Sequence, residues 1–190
     1  MPLSARATLS DLIAQVRRLV ADTGTPATFD DLDVQQALDN NRIDHIARRV
    51  EDSGIITTAA RYAFTDYYTE IDHWEADAYL QGHMYELLTA TSTPVSVANA
   101  DYLVGHWTLN IAYTPPIFIT GKSYDVYAAA VELLEQSYAM AMGDFDFLAA
   151  GRTFKRSQSK EGIQTLINIY RRRMKINFTD LYRNDMNVMR

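Results

Sequence analysis

Residues 107–113 read Trp107-Thr108-Leu109-Asn110-Ile111-Ala112-Tyr113, with a large apolar side chain at every second position and a smaller or polar one between. An extended chain turns successive side chains to opposite faces, so this alternation predicts a strand with one buried face. The enrichment continues on both sides. Tyr62 to Glu70 is aromatic and threonine-rich, Tyr79 to Thr89 is mixed, and Ile117-Phe118-Ile119 forms a last short apolar run. Asn99-Ala100-Asp101 and Thr114-Pro115-Pro116 supply turns. Residues 55–121 therefore read as a β-rich insertion.

Outside it the apolar period is helical. Leu9, Leu12, Ile13, Val16, Leu19 and Val20 share one face, with Thr8 as candidate cap and Asp11 three residues on. Thr23-Gly24-Thr25-Pro26 stops that helix. Asp30 starts a second, with Asp33 in its first turn, where a carboxylate complements the helix dipole. Its apolar face is Val34, Ala37, Leu38, Ile43, Ile46, Ala47 and Val50, and Ser53-Gly54 ends it. Tyr124 to Met142 is polar only along a narrow stripe of Asp125, Glu132, Glu135 and Gln136, so this helix is expected to be central. A final helix runs from Phe154 or Ser157 to Lys175. Ile163, Leu166, Ile167, Tyr170 and Met174 line one face, and Arg171, Arg172, Arg173 and Lys175 crowd its end. The expectation is a mainly α fold: a small bundle of about four helices with the β-rich insertion between the second and third. Its parts are residues 1–54 (N-terminal helices), 55–121 (insertion), 122–176 (C-terminal helices) and 177–190 (an arm).

With 190 residues, 47% of them hydrophobic, the chain is long enough for one domain with a real core. It has no Cys, which removes disulfides, thiolate metal sites and a cysteine nucleophile. No apolar run is long enough for a membrane helix, and the opening Met-Pro-Leu-Ser-Ala-Arg lacks the apolar core of a signal peptide. A soluble protein made in a reducing cytoplasm is expected, with no membrane partner. Charge is uneven. Residues 146–190 hold ten Lys and Arg against four Asp and Glu, leaving eight against twenty in residues 1–145. A basic end on an acidic body points to nucleic acid or an acidic protein surface.

Motifs for chemistry are weak. Gly121-Lys122-Ser123 resembles the end of a phosphate-binding loop, but Pro116 stands where the first glycine is required. A glycine turn from strand to helix, with Ser123 capping a helix from Tyr124, fits better. His45, His73, His83 and His106 include no pair at helical chelating spacing. Asp30-Asp31-Asp33 lacks the glycine and closing Glu of a calcium loop. No nucleophile elbow is present. These readings give no catalytic, cofactor or metal residue, and the chain is expected not to be an enzyme. Lys155-Arg156 and Arg171-Arg172-Arg173 are the basic clusters toward the C-terminal end, and a pI near 5.1 opposes a dedicated DNA binder.

Three groups of residues together resemble the head–tail connector (adaptor, or head-completion) proteins of long-tailed bacteriophages. They are Leu12-x-x-x-Val16-Arg17-x-Leu19-x-x-Asp22 with Phe29-Asp30-Asp31, Ala37-Leu38-Asp39 and Asn41-Arg42; Pro116-x-x-Ile119-x-Gly121-x-x-Tyr124-Asp125-Val126-Tyr127-Ala128-Ala129-Ala130 with Leu133-Leu134-Glu135; and Phe154-Lys155-Arg156-Ser157-Gln158 ahead of Tyr170-Arg171. The resemblance covers both helical portions and lies in the order and spacing of these segments. It implies a structural virion subunit in a closed ring, commonly twelvefold, at the head–tail interface. Such a ring sits beneath the portal protein, joins the DNA-filled capsid to a tail or stopper protein, and lines the channel through which DNA passes without sequence-specific contact. The basic end then supplies contacts to the portal or to a neighbouring copy, through Arg171, Arg172, Arg173, Lys175, Phe178, Tyr182, Arg183 and Arg190. The alternative is a DNA-associated packaging protein that grips nucleic acid through the same basic helix.

Overall fold

Helix α1, Ser10–Leu19, begins after a 3-10 turn at Ala7–Leu9, and Thr8 does not cap it. Helix α2, Asp31–Asn40, starts at Asp30 as expected. The Asp33 amide donates to the Asp30 carboxylate, and the Asp30 amide donates to that of Asp33. The helix then stops at Asn40, well short of the expected Ser53. From Arg42 to Asp52 the chain is extended as strand β1. Ile43, Ile46, Ala47 and Val50 mimic a helical period because β1 is bulged. Its pairing slips between His45 and Arg48, which interrupts the two-residue alternation.

The computed structural model describes residues 4–24, 27–52, 64–83, 92–113, 115–141, 147–149, 152–154 and 156–175. Strands follow at β2 (Phe64–Tyr68), β3 (Tyr79–His83), β4 (Ser92–Pro94), β5 (Val97–Asp101), β6 (His106–Tyr113) and β7 (Ile117–Tyr124). The expectation of a mainly α fold is overturned. Strands hold 33% of residues in a nearly closed antiparallel sheet resembling a six-stranded barrel, so the protein is a β-rich α+β fold, with four α-helices among the described residues. The sheet order is β4-β3-β7-β1-β2-β6-β5. Its two ends, β4 and β5, are joined by Val95-Ser96 alone. The Val95 amide donates to the Leu80 carbonyl (3.1 Å) and the Asn110 amide to the Ser96 carbonyl (3.1 Å). Residues 92–101 thus act as one bent strand closing the ring between β3 and β6. Closure removes the open edges that a sheet otherwise exposes.

The barrel is filled rather than hollow. Val50, Tyr67, Leu80, Trp107, Leu109, Ile117 and Ile119 meet inside. Trp74 joins them from the segment that crosses one end of the barrel, its ring edge-on to Trp107 with centroids 6.0 Å apart. Its indole N–H donates to Ile71 O (2.8 Å) and Thr69 Oγ1 (3.1 Å). Gly121 is not a turn before a helix. It lies within β7 opposite His45, where a Cβ atom would stand 2.5 Å from Ala78 Cβ. Ser123 is also buried in β7, and Asp125 takes the capping role instead, its carboxylate accepting from the Tyr127 and Ala128 amides (both 3.0 Å).

Helix α3, Val126–Ala141, is the central helix that its composition requires. Val126, Ala129, Ala130 and Leu133 pack on Leu12, Ile13 and Val16 of α1 and on Val34, Ala37 and Leu38 of α2. Val131 and Leu134 pack on Ile167 of helix α4, Arg156–Arg171, which follows a small hairpin of β8 (Phe147–Ala149) and β9 (Arg152–Phe154). The result is a helical layer across the end of the barrel that Trp74 closes.

Candidate functional site

Most of the buried charge collects where the helical layer meets the barrel. Glu75 is only 1% exposed. Its carboxylate accepts from the Thr8 hydroxyl (2.7 Å) and the Tyr124 hydroxyl (2.5 Å), with Arg6 Nε at 3.3 Å and Lys122 Nζ at 3.5 Å. Arg6 also donates to Asp39 of α2 (2.5 Å) and to the Tyr124 hydroxyl (3.1 Å). Burial alone raises the Glu75 carboxyl. The hydrogen bonds from Tyr124 and Thr8 and the Arg6 and Lys122 charges outweigh it, leaving the group below its ordinary value. Tyr124 shifts the other way. Burial and its bond to Glu75 push its hydroxyl far above the usual phenol range, so it stays protonated, donating to Glu75 while accepting from Arg6.

A second node lies beside the first. Asp72 pairs with Lys175, just past the end of α4, and His73 Nδ1 lies 3.3 Å from Asp72 Oδ1. Across the same junction, His73 Nε2 meets the Gln15 amide of α1 at 2.9 Å. Burial raises the Asp72 carboxyl, but the adjoining His73 and Lys175 side chains dominate and hold it well below the carboxylate range. The Lys175 amide donates to Asp125 (2.5 Å), so the residue that caps α3 also anchors the chain leaving α4.

Arg171, Arg172 and Arg173 of the basic cluster are exposed, and three of its four described cations also have partners within the chain. Arg171 pairs with Glu135 of α3, the Arg173 guanidinium stands 5.7 Å over the Tyr127 ring, and Lys175 is held by Asp72. Arg172 is exposed. Phe178, Tyr182, Arg183 and Arg190 lie outside the described residues.

The Glu75 and Asp72 nodes escaped sequence reading because their partners are distant in the chain: Glu75 and Thr8 are 67 residues apart, Asp72 and Lys175 103. The one local signal is the run Asp72-His73-Trp74-Glu75, polar groups around a tryptophan. Of the four histidines, His45 is half-buried, its Nε2 2.8 Å from Ser123 Oγ and its ring 4.8 Å from that of Trp74. Among the described residues, no group of three His, Asp or Glu side chains is arranged to hold a metal, and no helix is long and apolar enough to cross a membrane. No family model matches the chain, and neither a curated protein nor a solved structure shows significant similarity to it.

Proposed function

We propose that the chain is a head–tail connector subunit, a structural ring protein beneath the portal that joins capsid to tail around the passing DNA. The observation that carries this reading is the use made of its ionisable groups. Glu75 with Arg6, Lys122 and Tyr124, and beside them Asp72 with Lys175, form two groups of paired side chains at the boundary between barrel and helical layer. Such a network holds two parts in one orientation, a mechanical role. The segments that resemble connector proteins also fold together, supplying α1, α2, β7, α3 and α4.

The DNA-packaging alternative is weaker, because three of the four described cations at the end of α4 already face Glu135, Tyr127 or Asp72. Arg172 is then the cation best placed for the portal. The test is imaging of the chain mixed with a portal protein from the same genome, where one is encoded. A ring of density under the portal is expected, with occupancy falling at least tenfold in Arg172→Glu while the melting temperature holds. Absence of that ring with the native chain refutes the connector reading.

A further inference from the structure

The bent strand at 92–101 closes the β3–β6 side of the barrel, but the β1–β2 side is joined at one end only. Those two strands pair through Glu51 with Tyr68 and Asp52 with Tyr67. Before that contact, β1 is bonded along its β7 side alone. The direction of its backbone groups follows from β7. The Glu75 amide donates to the Lys122 carbonyl (2.8 Å) and the Tyr124 amide to the His73 carbonyl (2.9 Å), so Lys122 and Tyr124 turn away from β1. Gly121 and Ser123 then face β1, opposite His45 and Ile43. Arg42 and Asp44, out of phase with these, turn their N–H and C=O groups to the far edge. Among the described residues, no backbone group pairs with them there. An unpaired edge of this kind is a template for another extended segment.

The described chain ends at the foot of this edge. Lys175, its last residue, lines a depression with Arg42, Ile43 and Asp125. Its amide donates to Asp125 (2.5 Å) and its ammonium to Asp72, which follows β2. The chain is therefore pinned between the feet of the two splayed strands. Residues 176–190 come next and lie outside the described residues. The open edge, residues 42–49, is about 26 Å long at about 3.3 Å per residue, well within their extended reach. Ile176-Asn177-Phe178-Thr179 alternates apolar and polar side chains. β1 alternates likewise beside it, with Ile43 and His45 half-buried and Arg42, Asp44 and Ile46 exposed.

We infer that residues 176–180 dock on the open edge of β1 in the same chain, as a parallel strand that fills the gap between β1 and β2. Ile176 and Phe178 then fall on the side of Ile43 and His45, and Asp180 reaches the level of the exposed Arg48. Anchoring at Lys175 holds the segment at high effective concentration beside the edge, which favours it over the same segment of a second copy. This docking is separate from portal binding, and either can hold without the other.

Hydrogen–deuterium exchange of the full chain tests it. The Arg42 and Asp44 amides should exchange at least tenfold more slowly in the native protein than in Ile176→Asp with Phe178→Asp. The Ile43 and His45 amides, which face β7, should be equally slow in both. Native Arg42 and Asp44 amides that exchange at the rate of an unprotected peptide overturn the inference, whatever the variant does. A second measurement identifies the occupant. The chain has no cysteine, so Asp44→Cys with Asn177→Cys introduces a single possible disulfide within the chain. Oxidation should yield a cross-linked monomer. A disulfide-linked dimer would assign the edge to a second copy, and a chain that stays reduced would leave this segment elsewhere; both overturn the inference.

Discussion

Replacing Glu75 by Gln tests the junction directly. The change keeps shape and one acceptor oxygen but removes the charge that Tyr124, Thr8, Arg6 and Lys122 surround. Each hydrogen bond to an ionised group contributes about 1.5–3 kcal/mol, and one of the two is expected to survive on the amide oxygen. Arg6 and Lys122 side chains are about a third exposed, so solvent screening leaves only a few tenths of a kcal/mol for each of their contacts. The expected loss is about 2–4 kcal/mol, a large part of the ~5–15 kcal/mol that stabilises a typical domain. Urea unfolding at neutral pH measures it, and Tyr124→Phe with the double variant should show coupling above about 1 kcal/mol. The pH dependence gives a second check. Folding lowers the Glu75 carboxyl below its ordinary 4.5, so its contribution is complete above that pH and fades as pH falls through the lowered value. Native and Glu75→Gln proteins should therefore converge in acid. A loss under about 1 kcal/mol at neutral pH, or a gap that does not narrow in acid, refutes the reasoning.

Other outcomes follow from single positions. Burial, reinforced by the Arg48 and Lys175 charges, lowers the His45 imidazole from its ordinary 6.5. The unfolded chain then takes up a proton first, and stability should decline as pH drops below about 6.5. Melting temperatures at pH 7.5 and 5.5 should show this decline in the native protein and a smaller one in His45→Gln. Gly121→Ala should cost about 1–3 kcal/mol, because its Cβ would meet Ala78 Cβ at 2.5 Å and Cα at 2.8 Å. Gly162→Ala, inside α4 with nothing within 4 Å of the added Cβ, should instead stabilise by about 0.5–1 kcal/mol in the same denaturation assay.

The legible parts of the sequence were those with local causes. The Asp30 cap and the largely apolar circumference of α3 each follow from neighbours within a few residues, and both are found in the structure. The alternation at 107–113 likewise became β6. The failure at β1 has a clear origin. An extra residue at Ile46-Ala47 breaks the strand's two-residue rhythm, and the remaining apolar positions fall into apparent helical spacing. Reading these residues as helix hid the strand that joins both halves of the barrel, and with it the fold class. Gly121 misled for a related reason. Its need arises from Ala78 on a segment that only the folded barrel brings close. The junction was illegible in the same sense, since Thr8, Glu75 and Tyr124 carry no mutual signal until the chain has closed.

The bent strand at 92–101 has a consequence for how the protein comes apart. It is paired to β3 through one half and to β6 through the other, with only Val95-Ser96 between. Opening either half frees an edge that the other half cannot cover. Amide exchange at Val95 and Asn110, whose N–H groups span the seam, should therefore proceed only through global unfolding. The strap ties β3 to β6, so these two strands are expected to open together.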